Sequence, residues 1–135
     1  MFELYTVAII GSGPAGLSAA AHAARLGLKH ILLEAQPHLS DTIYKYQKGK
    51  HVMAEPQILP LRSPMSFAAG KREEILEKWN AEIEKHQVNV RYGQEVVAIT
   101  GKAAEVDYLK GIGAKDVTLR SSLDLAKIKP LDKTL

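Results

Sequence analysis

The N-terminal part of the chain carries the pattern of a strand, a helix and a second strand in close succession. Residues 5–10 form a short, nearly all-apolar run rich in β-branched side chains, which suits a strand buried on both faces of a parallel sheet. The alanine-rich segment 17–27 has helical spacing, and Gly27 stands where a helix C-cap belongs. Residues 29–34 (KHILLE) indicate a second strand. Together these segments predict a βαβ unit.

A second helix is indicated by the amphipathic pattern of residues 71–87, KREEILEKWNAEIEKHQ. Its apolar side chains recur on one helical face, and the charged side chains lie on the opposite face. The apolar face consists of Ile75, Leu76, Trp79 and Ile83. The spacing therefore predicts a surface helix that uses Trp79 as a core anchor.

The remaining elements are shorter. Prolines interrupt residues 35–70 and predict irregular structure there. Further strands and one helix are predicted at residues 88–93, 95–100, 103–112 and 116–120. We expect that helix to turn Val106, Leu109 and Ile112 inward, and its strands to extend the parallel sheet through a right-handed crossover. The whole pattern predicts one α/β, Rossmann-like domain over residues 1–135, with a mostly parallel sheet and flanking helices.

The turn between the first strand and the first helix reads GSGPAG, residues 11–16. Gly11 allows the tight turn, Gly13 lets the backbone approach a pyrophosphate, and Gly16 lets the helix pack closely. The helix N-terminus supplies free N–H groups and a partial positive charge for phosphate. Glu34, at the end of the second strand, is spaced to bond ribose hydroxyls. The candidate cofactor-binding residues are Gly11, Ser12, Gly13, Pro14, Ala15, Gly16 and Glu34.

The residue types leave the choice of dinucleotide partly open. The carboxylate of Glu34 would repel the 2′-phosphate of NADP and pair with free hydroxyls instead, so FAD and NAD both remain. The alternative is a glycine-rich turn that binds nothing. A flavin titration separates these interpretations.

Composition excludes several kinds of chemistry carried by side chains. The chain has no cysteine, and thus no disulfide, thiolate metal site or CxxC pair. Its histidines show neither HxxxH nor HxH spacing, so we expect no metal site, and no serine lies in GxSxG, so there is no signal of a nucleophile elbow. The catalytic residues are unknown at this stage, and any chemistry is expected to be carried by a cofactor.

Charge and hydropathy bear on partners and location. A net charge of +3 is too small for a dedicated nucleic-acid binder. No apolar run approaches the roughly 20 residues of a membrane span, and the N-terminus lacks a basic signal region, so we expect a cytoplasmic protein. The basic stretch 45–50 (KYQKGK) is open to three interpretations: a loop over a cofactor, a docking patch for an acidic partner, or a solvated loop.

The stretch GSGPAGLSAAAHAARLGLKHILLE resembles the N-terminal FAD-binding segment of thioredoxin-reductase-like and glutathione-reductase-like flavoproteins, the pyridine nucleotide-disulfide type. The resemblance covers residues 1–99. It implies that Gly11, Gly13 and Gly16 carry the FAD pyrophosphate and that Glu34 holds the adenosine ribose. Because the family's second nucleotide domain has no counterpart here, it implies a truncated FAD/NAD(P)-binding domain, a fragment of a flavin-dependent NAD(P)H oxidoreductase.

Residues 94–135 resemble a different family, the NADPH-dependent quinone oxidoreductases and acrylyl-CoA reductases of the medium-chain dehydrogenases. The resemblance lies in TGK, DYLKGIGA and the PLDK segment, and it implies that Thr100, Gly101 and Lys102 face an NADP adenosine phosphate. Two alternatives to the flavoprotein interpretation follow: an NADPH-dependent reductase fragment, or an inactive or designed Rossmann-like scaffold. A truncated FAD domain would leave a sheet edge and an isoalloxazine pocket uncovered, so we expect self-association.

Overall fold

A computed structural model describes residues 3–54, 61–100, 102–111 and 116–119. Its helices and strands follow the chain order expected for the N-terminal βαβ unit. The strands are β1 (Val7–Ile10), β2 (His30–Leu33), β3 (His51–Val52), β4 (Gly70–Lys71), β5 (Val90–Arg91), β6 (Val97–Thr100) and β7 (Asp116–Leu119). The helices are α1 (Pro14–Arg25), α2 (Asp41–Tyr44), α3 (Arg72–Lys85) and α4 (Val106–Gly111), with a 3-10 turn at Ala103–Glu105.

Three parallel strands form the central sheet, in the order β1-β2-β5. The register aligns Val7 with His30 and Ile10 with Leu33 across β1 and β2. Strand β5 joins the far side of β2, where Leu32 pairs with Val90. The fold is therefore the Rossmann-like α/β arrangement predicted from the sequence, with a mostly parallel sheet and flanking helices.

The core lies between the sheet and the inner faces of α1 and α3. Small side chains of α1, including Ala20 and Ala23, are buried and let the helix lie close to the sheet. Trp79 is the anchor of α3: it is 4% exposed, and its Nε1–H donates to the Ser66 carbonyl at 3.1 Å. The ring of Phe67 meets Trp79 edge-on, with centroids 5.4 Å apart. The prediction that Trp79 anchors the core is confirmed.

Two helices end in the same hydrogen-bonded motif. After α1, the Gly27 N–H donates to the Ala24 carbonyl and the Leu28 N–H to the Ala23 carbonyl, both at 3.0 Å. Gly27 has the left-handed φ of +69° that this Schellman motif requires, which confirms its predicted place at the helix end.

Helix α3 uses the same motif without a glycine. The Gln87 N–H donates to the Glu84 carbonyl at 3.1 Å, and the Val88 N–H donates to the Ile83 carbonyl at 2.9 Å. Gln87 adopts a φ of +56°, a conformation in which the Cβ of an ordinary residue crowds the backbone. The end of α3 therefore carries local strain.

The last elements differ from the sequence-based expectation. Strands β6 and β7 pair with each other in parallel, and within the described residues no backbone pairing joins them to the three-stranded sheet. The predicted helix 103–112 divides into a 3-10 turn and α4, in which Val106 and Leu109 are half-buried. Ile112 and residues 121–135 lie outside the described residues. The expected extension of the central sheet is thus not seen, because the pair is completed locally.

Candidate functional site

The glycine turn connects the end of β1 to the start of α1. Gly11 has a φ of +91°, which favours glycine, and its N–H donates to the Leu33 carbonyl of the neighbouring strand at 2.9 Å. Gly13 is the extended N-cap residue of α1, and Pro14 occupies the first helical position. Proline suits that position because its missing N–H would have no intrahelical acceptor there.

The first turn of α1 presents backbone donors. The first bond that closes the helix runs from the Leu17 N–H to the Gly13 carbonyl, at 2.9 Å. The N–H groups of Ala15 and Gly16 therefore have no acceptor within the helix. No side chain caps this helix end, so its partial positive charge faces the space in front of Gly13.

Gly16 and Gly13 differ in whether the protein itself leaves room for a side chain. A Cβ at Gly16 would lie 1.9 Å from the carbonyl oxygen of Gly11, so the turn itself excludes every other residue type. A Cβ at Gly13 would meet no atom within 4 Å. The space beside Gly13 is thus open to a ligand, which is what the predicted approach of a pyrophosphate requires.

The predicted ribose acceptor, Glu34, lies next to this turn and is 7% exposed. Its Oε2 accepts a hydrogen bond from the Ser12 N–H at 2.9 Å and a second from the Ser12 hydroxyl. Its Oε1 accepts one from the Gln36 N–H at 3.0 Å. A carboxylate has about four acceptor positions, so these three bonds leave one, on Oε1.

Ser40, which the sequence analysis did not identify, contacts Ser12 through two hydrogen bonds. The Ser40 N–H donates to Ser12 Oγ at 2.9 Å, and Ser40 Oγ donates to the Ser12 carbonyl at 2.6 Å. Ser40 is buried and has a left-handed φ of +52°. Its only sequence signal is a serine before a short helix, which indicates a cap and not a contact with residue 12.

A cleft of about 270 Å³ opens at the carboxyl ends of β1 and β2, beside the glycine turn. It is lined by Ile10, Gly11, Leu33, Glu34, Ala35, Gln94, Glu95 and Val96. Ligands of open α/β sheets bind at this end of the strands. The segment 94–96 was missed in the sequence, although its place after a strand of the parallel sheet is the signal that could have found it.

Tyr92 precedes that segment and is half-exposed. Partial burial raises the pKa of its hydroxyl above the usual value, and the negative charges of Glu34 and Glu84 raise it further. The hydroxyl therefore stays protonated at neutral pH and can donate a hydrogen bond.

The basic stretch 45–50 is tied to its surroundings. Lys45 Nζ lies 2.7 Å from Asp41 Oδ2, and Lys50 Nζ lies 4.7 Å from the ring centroid of Tyr46. The Gly49 N–H donates to Glu73 on α3, at 2.9 Å from Oε1. These contacts hold the stretch against α2 and α3 as an ordered surface loop.

Two of the three tail candidates, Thr100 and Lys102, lie in the part of the chain that the structure describes. Thr100 ends β6, and Lys102 Nζ lies 3.6 Å from Glu105 Oε1. Gly101 lies outside the described residues. In the part of the chain that the structure describes, no three His, Cys, Asp or Glu residues are grouped to hold a metal ion, and no helix is long and apolar enough to cross a membrane.

Comparison with known proteins places this geometry in a family. The sequence profile of pyridine nucleotide-disulphide oxidoreductases matches residues 5–121. A thioredoxin reductase from Peptoclostridium litorale is 31% identical over 106 residues, which cover 78% of this chain and 32% of that protein. The chain therefore spans about a third of the length of this relative.

Solved structures give the same answer for the fold. The bacillithiol disulfide reductase Bdr from Staphylococcus aureus superposes with a TM-score of 0.58 at 23% identity, over 74% of this chain and 32% of that one. A ferredoxin-flavin thioredoxin reductase from Clostridium acetobutylicum superposes with a TM-score of 0.54 at 25% identity, over 75% of this chain and 31% of that one. With its glycine turn, its parallel sheet and a profile match across most of its length, the chain belongs to the pyridine nucleotide-disulphide oxidoreductase family.

Proposed function

We propose that the chain binds FAD and is the FAD-binding part of a flavin-dependent NAD(P)H oxidoreductase. The observation that carries the proposal is the glycine turn itself: the space beside Gly13 is open, α1 begins there without a side-chain cap, and the buried carboxylate of Glu34 bonds to Ser12. A dinucleotide needs donors for its pyrophosphate and an acceptor for its ribose, and both lie here within one turn.

Each part of the site has a separate role in this proposal. The backbone N–H groups of Ala15 and Gly16, with the helix dipole behind them, bind the pyrophosphate. The remaining acceptor position on Glu34 binds a ribose hydroxyl, and the cleft beside segment 94–96 takes the adenosine. Ser12, Gly11 and the ring of Pro14 keep the turn in shape. Bound FAD supplies the electron-transfer chemistry, since the protein's part is to bind and orient it.

Glu34 also sets the preference among dinucleotides. A buried carboxylate disfavours a 2′-phosphate at the ribose it contacts, because two negative charges would lie together in a site of low exposure. We therefore expect NADP to bind less tightly than FAD or NAD in this site, and the family match favours FAD of these two. The reduction of a disulfide, which the description of the family names, remains a proposal, and this stretch of sequence supplies no thiol for it.

The second candidate is an NADPH-dependent reductase of the medium-chain type, based on residues 94–135. The family profile continues to residue 121, across the start of that segment, and Lys102 is engaged with Glu105. The profile match favours the flavoprotein assignment over residues 5–121. The chimera and the inactive scaffold remain predictions that a binding experiment separates.

Single-domain organisation over residues 1–135, a cytoplasmic location and self-association are part of the same proposal. Self-association is supported by two exposed features. Strand β1 pairs on one side only within the described sheet, and β6 exposes Val97 and Ile99 by 54% and 47%. Unpaired strand edges and apolar surface favour contact between copies.

The test is an FAD titration of the purified protein, followed by visible absorption, beside a Gly13→Glu variant. We expect saturable binding that the variant loses, because a carboxylate at residue 13 would occupy the place of the pyrophosphate. Ala19→Glu is the matched control, since it adds the same side chain to an exposed position of α1. A protein that ignores FAD would support the inactive scaffold, and one that binds NADPH but no flavin would support the second candidate.

A further inference from the structure

Ser40 lies 28 residues from Ser12 along the chain and contacts it within the glycine turn. We propose that Ser40 is a positioning residue that, acting through Ser12, restricts Glu34 to a single acceptor position for the adenosine ribose. The inference deepens the proposed FAD-binding function and rests on it.

The side chain of Ser40 bonds to the glycine turn, although Ser40 occupies the position of a helix cap. It is the N-cap residue of α2, and its side chain makes no capping hydrogen bond there. Its Oγ donates instead to the Ser12 carbonyl at 2.6 Å. Ser40 is 3% exposed, so water does not compete for this bond.

The conformation of Ser40 supports the same conclusion. Its φ of +52° and ψ of +58° belong to the left-handed region, which non-glycine residues seldom adopt. Such a conformation persists where the surrounding structure holds it in place. Here it directs both the N–H and the hydroxyl of Ser40 at one residue, Ser12.

The direction of the hydrogen-bond chain is set by the groups in it. The Ser40 N–H can only donate, so Ser12 Oγ accepts at that contact. The Glu34 carboxylate only accepts, so the Ser12 hydroxyl donates its one proton to Oε2. The Ser40 N–H thus polarises the Ser12 hydroxyl, while the Ser40 hydroxyl holds the Ser12 backbone through its carbonyl. The two bonds together keep the N–H and the hydroxyl of Ser12 directed at Oε2 of Glu34.

The consequence is a defined acceptor pattern on Glu34. Its Oε2 receives both the N–H and the hydroxyl of Ser12, and its Oε1 receives the Gln36 N–H. One acceptor position remains, on a carboxylate that lines the cleft. The site therefore accepts a hydrogen bond from one ribose hydroxyl and discriminates against the analogue that lacks it.

The test measures this discrimination as a ratio, because a merely structural role would leave a ratio unchanged. The probes are ADP, 2′-deoxy-ADP and 3′-deoxy-ADP, each titrated against the full chain. Since the lost bond would be made to a charged group, we expect the wild type to bind one deoxy analogue roughly tenfold or more less tightly than ADP. Ser40→Ala keeps the backbone N–H but loses the bond from the hydroxyl to the Ser12 carbonyl, so Ser12 is held less firmly and we expect that ratio to fall several-fold.

Two variants separate the hydrogen bond from the backbone conformation. Ser40→Gly removes the same hydroxyl but adopts the left-handed conformation readily, so it should fold at least as stably as Ser40→Ala and show the same loss of discrimination. Ser63→Ala is the matched control: its hydroxyl also donates to a carbonyl of α1, that of Ser18 at 3.4 Å. We expect its ratio to equal that of the wild type.

A measurement without ligand distinguishes failure of the Ser40 proposal from failure of the proposed FAD-binding function. Amide hydrogen exchange at Ser12 should be slow in the wild type and faster in both Ser40 variants. Unchanged exchange, or an unchanged ratio with ADP binding intact, would overturn the role of Ser40. If exchange changes as expected but the wild type binds neither ADP nor FAD, the hydrogen-bond chain stands, whereas the proposed function and the ribose role both fail.

Discussion

Gly13 and Gly16 lie in one turn but are glycines for different reasons, and substitution by alanine separates them. In Gly16→Ala the new Cβ would overlap the Gly11 carbonyl oxygen, which is backbone and cannot rotate away. We expect a loss of about 1–3 kcal/mol in the free energy of unfolding, or more, by urea denaturation.

Gly13→Ala is the comparison, because its Cβ meets no atom of the protein. We expect its stability to stay within about 1 kcal/mol of the wild type, while its FAD affinity falls because the methyl group occupies the path of the pyrophosphate. If the two variants lose stability equally, the distinction is wrong.

Glu34→Gln tests the carboxylate with almost no change of shape. Its two oxygens accept three hydrogen bonds from Ser12 and Gln36, and an amide NH₂ in place of either oxygen would face donors instead of accepting from them. Since the site is buried, we expect a cost of about 1–3 kcal/mol in unfolding free energy and weaker FAD binding. Unfolding curves equal to those of the wild type would show that the carboxylate does not hold the turn.

The end of α3 offers a stabilising substitution. Gln87 adopts a left-handed conformation that glycine adopts without crowding, so Gln87→Gly should raise the free energy of unfolding by up to about 1 kcal/mol. Gln87→Ala is the control: it keeps the Cβ, and we expect no gain. A thermal midpoint that rises equally in both variants would point away from backbone strain.

Helix α2 carries a pH-sensitive contact. Hydrogen bonds from Lys45, and then from His38, hold the pKa of Asp41 below its usual 3.8. A lowered carboxyl pKa contributes stability that is present above the unfolded value and is lost as the pH falls through the folded value. The contribution should therefore disappear below pH 3.8.

Asp41→Asn should accordingly be less stable than the wild type at neutral pH, and the difference should narrow as the pH falls below 3.8. Unfolding free energies from pH 7 to about 2.5 measure it. Asp107→Asn, at an exposed position of α4, is the control. A constant difference between Asp41→Asn and the wild type would exclude titration as its cause.

Features that depend on residues close together in the chain were predicted from the sequence, whereas features that depend on distant residues were missed. Local sequence patterns predict the βαβ unit, the helix end at Gly27 and the buried face of α3 around Trp79, because each depends on residues a few positions apart. The Ser40–Ser12 contact and the cleft at segment 94–96 depend on which loops the sheet brings together. The tail strands were predicted individually, but whether they join the central sheet or pair only with each other depends on tertiary packing, which no local pattern reveals.

For the molecule as a whole, the exposed apolar side chains of β6 predict association between copies. Light scattering over a range of concentrations should show an apparent mass that rises with concentration. Replacing Val97 by Thr and Ile99 by Lys should lower it, because charge on an exposed strand disfavours pairing between sheets. A concentration-independent monomer mass for the wild type would contradict the expectation.

Trp79 has a consequence beyond packing, because it is the chain's one tryptophan. Its indole is shielded from water between α3 and the segment of Ser66 and Phe67. In the ligand-free protein, tryptophan fluorescence, excited selectively over the tyrosines, therefore comes from a single environment. We expect blue-shifted emission while α3 is docked and red-shifted emission once water reaches the ring. The molecule thus contains its own optical reporter, and unfolding can be followed in it without any label.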